Sequence, residues 1–180
     1  AGGVRGAGFG VVEALWKAAG AGHTRIMRAL VEEGGVEAGS RTEDGYTALL
    51  VAAEYGRMEA ARMLLTELGA DVNQLSGNGE GTEETPLCLA AHEGHTDMAR
   101  MLAVEFAADV NKALSDTGCT PLYAAAQNGH IDIARFLVLE GGADVKQATA
   151  NSGGTALYAA AADGHTDIAR MRVLEGGADG

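Results

Sequence analysis

One string, Thr120-Pro121-Leu122-Tyr123-Ala124-Ala125-Ala126-Gln127-Asn128-Gly129-His130, occurs in five variant copies along the chain. Its leucine recurs as Leu15, Leu49, Leu87, Leu122 and Leu157, and its glycine as Gly22, Gly56, Gly94, Gly129 and Gly164. Both series step by 34, 38, 35 and 35 residues. A fixed period of this length predicts stacked supersecondary units, each burying its apolar face on its neighbours, in place of one central core.

Each copy carries the same local signals. A threonine able to cap a helix precedes proline or alanine at the first helical turn, as in Thr85-Pro86-Leu87 and Thr120-Pro121-Leu122. A short alanine-rich helix follows, seen at Ala52-Ala53, Ala90-Ala91 and Ala159-Ala160-Ala161. A glycine then ends it, suited to the left-handed backbone of a helix C-terminus. A second helix starts after the glycine, as in Asp132 to Val138, with apolar residues at helical spacing. The copy closes on a turn such as Gly142-Ala143-Asp144-Val145, which leads into an extended segment.

This pattern resembles the ankyrin repeat. The matching motifs are Thr47-Ala48-Leu49 with Gly69-Ala70-Asp71-Val72-Asn73, Thr85-Pro86-Leu87 with Ala108-Asp109-Val110-Asn111, Thr120-Pro121-Leu122 with Gly142-Ala143-Asp144-Val145, and Thr155-Ala156-Leu157 with Gly177-Ala178-Asp179. The resemblance implies an all-α solenoid of stacked helix–turn–helix units with hairpin-like fingers. It covers residues 11–180, divided as 11–41, 42–79, 80–114, 115–149 and 150–180, behind a flexible glycine-rich lead-in at 1–10. The first copy is degenerate, with Glu13-Ala14 in place of Thr-Pro. The histidine that follows Thr-Pro-Leu in the family is replaced by Trp16, Leu50, Cys88, Tyr123 and Tyr158. Each second helix carries one extra residue before its closing turn, which predicts a widened helix end or an extra turn residue there. The stretch Gln74 to Gly81 reads as the longest, most flexible finger.

Composition narrows the function. The net charge of −12 disfavours nucleic acid and anionic lipid and points to basic or neutral protein partners. No apolar run is long enough to cross a membrane. Two cysteines, Cys88 and Cys119, in different copies neither require nor exclude a disulfide, and the expectation is a reduced intracellular, cytoplasmic setting. An organelle stays open, because the chain begins Ala1-Gly2-Gly3 without an initiating methionine.

Chemistry is sparse. His23, His95, His130 and His165 occur one per copy and so cannot converge on one metal ion; the expectation is imidazole bonding to backbone at the turn. Arg28, Arg62, Arg100, Arg135 and Arg170 are also periodic, and four of them follow Glu59, Asp97, Asp132 and Asp167 by three residues, predicting ion pairs along one helix face. No phosphate-binding glycine loop or nucleophile motif is present, so the expectation is a protein that is not an enzyme and holds no cofactor or metal.

What the resemblance implies is protein binding on a concave face built from the fingers and the ends of the first helices. There the copies differ most. The candidates are Asp44, Tyr46 and Glu84 on the fingers, and Glu54, Tyr55, His92, Glu93, Gln127, Asn128 and Asp163 before the turn glycines. Tyr46 and Tyr55 are aromatic anchors, and the carboxylates would steer a basic segment. Arg172 replaces the leucine of Leu30, Leu64, Leu102 and Leu137, which suits a solvent-facing end cap. Three roles fit: a binding adaptor, a permanent subunit of a large assembly, or the repeat region of a longer protein.

Overall fold

The computed structural model describes residues 5–77 and 83–175, with side chains from Gly10 to Met171. The ends, most of the stretch following Gly77, Gly177-Ala178-Asp179 and the Arg172 side chain lie outside the described residues. The chain divides into two compact units, Ala1–Pro86 and Leu87–Gly180.

The first unit contains α1 (Arg5–Ala21), α2 (Thr24–Glu32), α3 (Ala48–Glu54) and α4 (Met58–Thr66). α1 packs on α2 and α3, α3 on α4, and α2 on α4. First helices therefore stack on first helices and second on second. At the unit boundary α5 (Pro86–Glu93) begins, followed by α6 (Thr96–Arg100), α7 (Pro121–Gln127), α8 (Ile131–Leu139), α9 (Ala156–Ala162) and α10 (Thr166–Glu175). The same rule holds here: α7 packs on α9, and α8 on α6 and α10. Between the described helices only one isolated antiparallel bridge forms, Ala148 with Thr155.

The helix starts follow the threonine rule. Thr47, Thr120 and Thr155 hydroxyls accept the N–H groups of Leu50, Tyr123 and Tyr158 at 3.3, 3.2 and 3.4 Å. The first helices end on a left-handed glycine, and the next N–H reaches back five residues: Arg57 to the Ala52 carbonyl at 2.7 Å, His130 to Ala125 at 2.9 Å and His165 to Ala160 at 2.7 Å. This satisfies carbonyls that the helix leaves open. Alanine sets the spacing, and Ala52, Ala53, Ala125, Ala126, Ala159 and Ala160 are buried in the core. Gly20 goes further; a methyl there would lie 2.9 Å from Val51.

The second helices do end wide. In each of three copies one carbonyl accepts twice: Ala29 from Glu33 and Gly34, Met63 from Glu67 and Leu68, Phe136 from Glu140 and Gly141. An N–H six residues on then closes the turn, from Ala70 to Leu64 and from Ala143 to Leu137, both at 2.9 Å. In the third copy the widening runs back through Met101–Glu105, which is π-helical. The residue after the widened turn has positive φ: Gly35, Gly69, Gly142 and, alone among the described non-glycine residues, Ala107 at 53°.

Three expectations need correcting. Residues 5–10, expected in a flexible lead-in, belong to α1. The glycines there disfavour helix, but extending a helix already nucleated costs far less than starting one. The shorter arginine pairs run between copies, although Arg28 also meets Glu32, four residues ahead on its own helix, at 3.5 Å. Arg28 meets Glu67 at 2.5 Å and Arg100 meets Glu140 at 2.8 Å. A short aspartate three residues back reaches a guanidinium less readily than a glutamate on the neighbouring helix. Asp97 and Asp132 act on Arg100 only through space. Leu30, at the position of the buried Leu64, Leu102 and Leu137, is only half-buried.

Candidate functional site

Two of the turn histidines, His130 and His165, bond backbone, and they do so across copies. His130 Nε2 lies 2.8 Å from the His92 carbonyl, and His165 Nε2 lies 2.9 Å from that of Gln127. At the same position Arg57 Nε donates to the Gly20 carbonyl at 2.7 Å. Each staples a helix C-terminus of the preceding copy. Asn111 does the same for the closing turns, donating to the Gly142 carbonyl and accepting from Asp144 N–H at 2.7 Å. These periodic polar groups are structural.

Within the first unit lies a groove of about 510 Å³. Three elements wall it: Val12, Glu13 and Trp16 on α1, Thr42 to Tyr46 on the finger, and Glu54 and Tyr55 at the end of α3. Positions 12, 13 and 16 share one helix face by the three-to-four-residue spacing. The finger is closed locally: Thr42 N–H donates to the Tyr46 carbonyl at 2.9 Å, and Tyr46 N–H to the Thr42 hydroxyl at 3.1 Å. Gly45, at φ 80°, lies directly against Gly77, and Arg41 donates to the Gly77 carbonyl at 2.8 Å. The next finger thus supports the one that presents Asp44 and Tyr46. Tyr55, 53% exposed, lies beside Gly20, whose missing side chain leaves room for the neighbouring Val51.

The lining contains four carboxylates, Glu13, Glu43, Asp44 and Glu54, and no lysine or arginine. Lys17 pairs with Glu13 at 2.8 Å, both exposed. The negative potential registers on Tyr46. Burial first, then the carboxylates of Glu54, Glu84 and Asp44, push its phenol above the ordinary value, because a phenolate would add charge to an already negative site. The Trp16 indole N–H is shielded from solvent and has no acceptor among the described residues. No group of three or more His, Cys, Asp or Glu among the described residues could hold a metal ion.

Five of the sequence candidates, Asp44, Tyr46, Glu54, Tyr55 and Glu84, therefore cluster in the first unit. The others belong to the second. His92 and Glu93 pair with each other at 2.8 Å, and Asn128 caps α7 by donating to the Ala124 carbonyl at 2.9 Å. Gln127 and Asp163 are exposed. Trp16, Val12, Glu13 and Glu43 were missed. The signal was available for Trp16, the chain's one tryptophan at a position of repeat-to-repeat variation.

The family profile described as ankyrin repeats, built on three copies, matches residues 6–76 and 72–149. No curated protein sequence matches the chain. The fifth helix pair, α9 and α10, lies beyond the matched residues. No helix among the described residues is long and apolar enough to cross a membrane.

Proposed function

The chain belongs to the ankyrin repeat family, whose repeats generally mediate protein–protein interaction, and on that premise we propose that it is a non-catalytic binding module that takes a basic protein segment into the groove of Trp16, Tyr46 and Tyr55. The observation that carries this reading is the composition of the groove: three aromatic side chains and four carboxylates, with no lysine or arginine among the lining residues. Aromatic residues dominate binding energy where they are held rigidly, and complementary charge steers encounter and selects partners. Gln127 and Asp163 of the second unit are assigned a secondary role as polar contacts.

Calorimetric titration with a short lysine- and arginine-rich peptide tests the assignment, with a glutamate-rich peptide as control. The basic peptide should bind, and the double substitution Tyr46→Ala, Tyr55→Ala should weaken it at least tenfold. Equal binding by parent and double variant would place the site elsewhere.

A further inference from the structure

We propose that the anchor of the bound segment is an arginine, whose guanidinium lies against the aromatic wall of the groove and bridges its carboxylates. This rests on the reading that the groove takes a basic segment, and it names the side chain that decides affinity.

The chain already holds an arginine in such a setting. Arg100 lies 4.5 Å from the centre of the Phe136 ring, while its two terminal nitrogens donate to Glu140 at 2.8 and 3.1 Å. A flat cation there is matched at once by a ring face and a carboxylate. The groove offers the same two ingredients several times over. Trp16 and Glu13 come from α1, Tyr46 and Asp44 from the finger, and Tyr55 and Glu54 from α3.

The chemistry favours arginine over other cations. Guanidinium is planar, weakly hydrated and carries five donors, so it stacks on a ring and still bridges carboxylates. Lysine presents a compact, strongly hydrated ammonium that must shed water to meet a ring. A trimethylated lysine has no N–H and could not hydrogen-bond to the carboxylates. A bare metal ion is disfavoured, since the carboxylates do not gather into a metal-holding group.

The single tryptophan, Trp16, makes the test direct, because its emission reports occupancy of the groove. The probes are capped glycine–serine peptides bearing two lysines around one central residue: arginine, lysine, trimethyl-lysine or citrulline. The arginine peptide should shift Trp16 emission and bind about fivefold tighter than the lysine peptide and about tenfold tighter than the citrulline peptide, the range expected for a cation on an aromatic face. Glu54→Gln and Tyr55→Ala, each checked for folding by circular dichroism, should erase the preference for arginine. Equal binding of the arginine and lysine peptides, both weakened by Tyr55→Ala, would overturn the arginine anchor and leave the basic-segment reading standing. Tightest binding by trimethyl-lysine would also overturn it, in favour of a cage for methylated lysine. Absence of binding by every peptide would overturn both.

Discussion

Ala107 is predicted to be a built-in weakness that one substitution repairs. It has φ 53°, in the left-handed region, where the equivalent positions carry Gly35, Gly69 and Gly142. A side chain in that conformation costs about 1–2 kcal/mol through contact between Cβ and the following carbonyl. Ala107 is exposed, so removing its methyl gives up little burial. Glycine does loosen the unfolded chain, which offsets about 0.4–1 kcal/mol. Ala107→Gly should therefore stabilise by about 0.5–1 kcal/mol. Gly142→Ala supplies the reciprocal control in the same unit. A methyl at Gly142 meets nothing within 4 Å, so its cost is backbone strain alone, offset by the same entropy term. It should destabilise by about 0.5–1 kcal/mol. Urea denaturation followed by circular dichroism measures both, and the melting temperatures should move in opposite directions by roughly 1–4 °C. A less stable Ala107→Gly variant, or a neutral Gly142→Ala variant, would refute the reasoning.

Other outcomes follow from the contacts. The Glu140 carboxyl is held below its ordinary value by the hydrogen bond from Arg100, so its contribution is present above the unfolded value near pH 4.3 and is lost as pH falls through the depressed folded value. The stability gap between parent and Glu140→Gln should thus be largest near pH 6 and close in strong acid, as read by urea midpoints across pH. His130→Ala removes the bond to the His92 carbonyl and should cost about 0.5–1.5 kcal/mol in the same assay, whereas His130→Arg should be tolerated better because Arg57 makes the equivalent bond. Gly45→Ala would place a methyl against Gly77 at φ 80°, and should cost more than about 2 kcal/mol and weaken peptide binding through the displaced finger. Glu54→Gln should lower the Tyr46 phenol toward its ordinary value, seen as earlier tyrosinate absorbance on alkaline titration against a Tyr46→Phe reference, because one of the charges opposing ionisation is gone.

The architecture was legible because its determinants are local. Threonine caps, turn glycines and buried alanines each act within a few residues, so the sequence places them without knowledge of the stack. The widened second-helix ends were legible for the same reason, as one extra residue before each closing turn. Interactions between copies were harder to see. Arg100 and Glu140 are 40 residues apart, and a rule for spacing along one helix selects Asp97 instead. The helical start of α1 was hidden by its glycines, whose local preference was overridden by continuation of the helix. The candidate site was half legible. Variation between copies marked Asp44, Tyr46, Glu54 and Tyr55, but Trp16 joins them only because α1 lies beside α3.

The two kinds of position differ in where their polar groups are directed. His130, His165, Arg57, Asn111 and Asn128 place their donors on carbonyls of their own or a neighbouring copy. Substituting them should change how strongly copies couple, since stability in a stacked array is a sum of unit and interface terms. The groove residues sit where first helices and finger meet, and their shared property is negative potential beside aromatic surface. Substitutions there should alter binding at nearly unchanged stability, because Tyr55 is exposed and Tyr46 only partly covered. Gly20 and Gly45 belong to both classes. Their missing side chains let α1 approach α3 and one finger approach the next, and those same approaches position Tyr55 and Tyr46. A close-packed scaffold is therefore a condition for the groove's shape, and pre-organising three rings in this way lowers the ordering cost of binding.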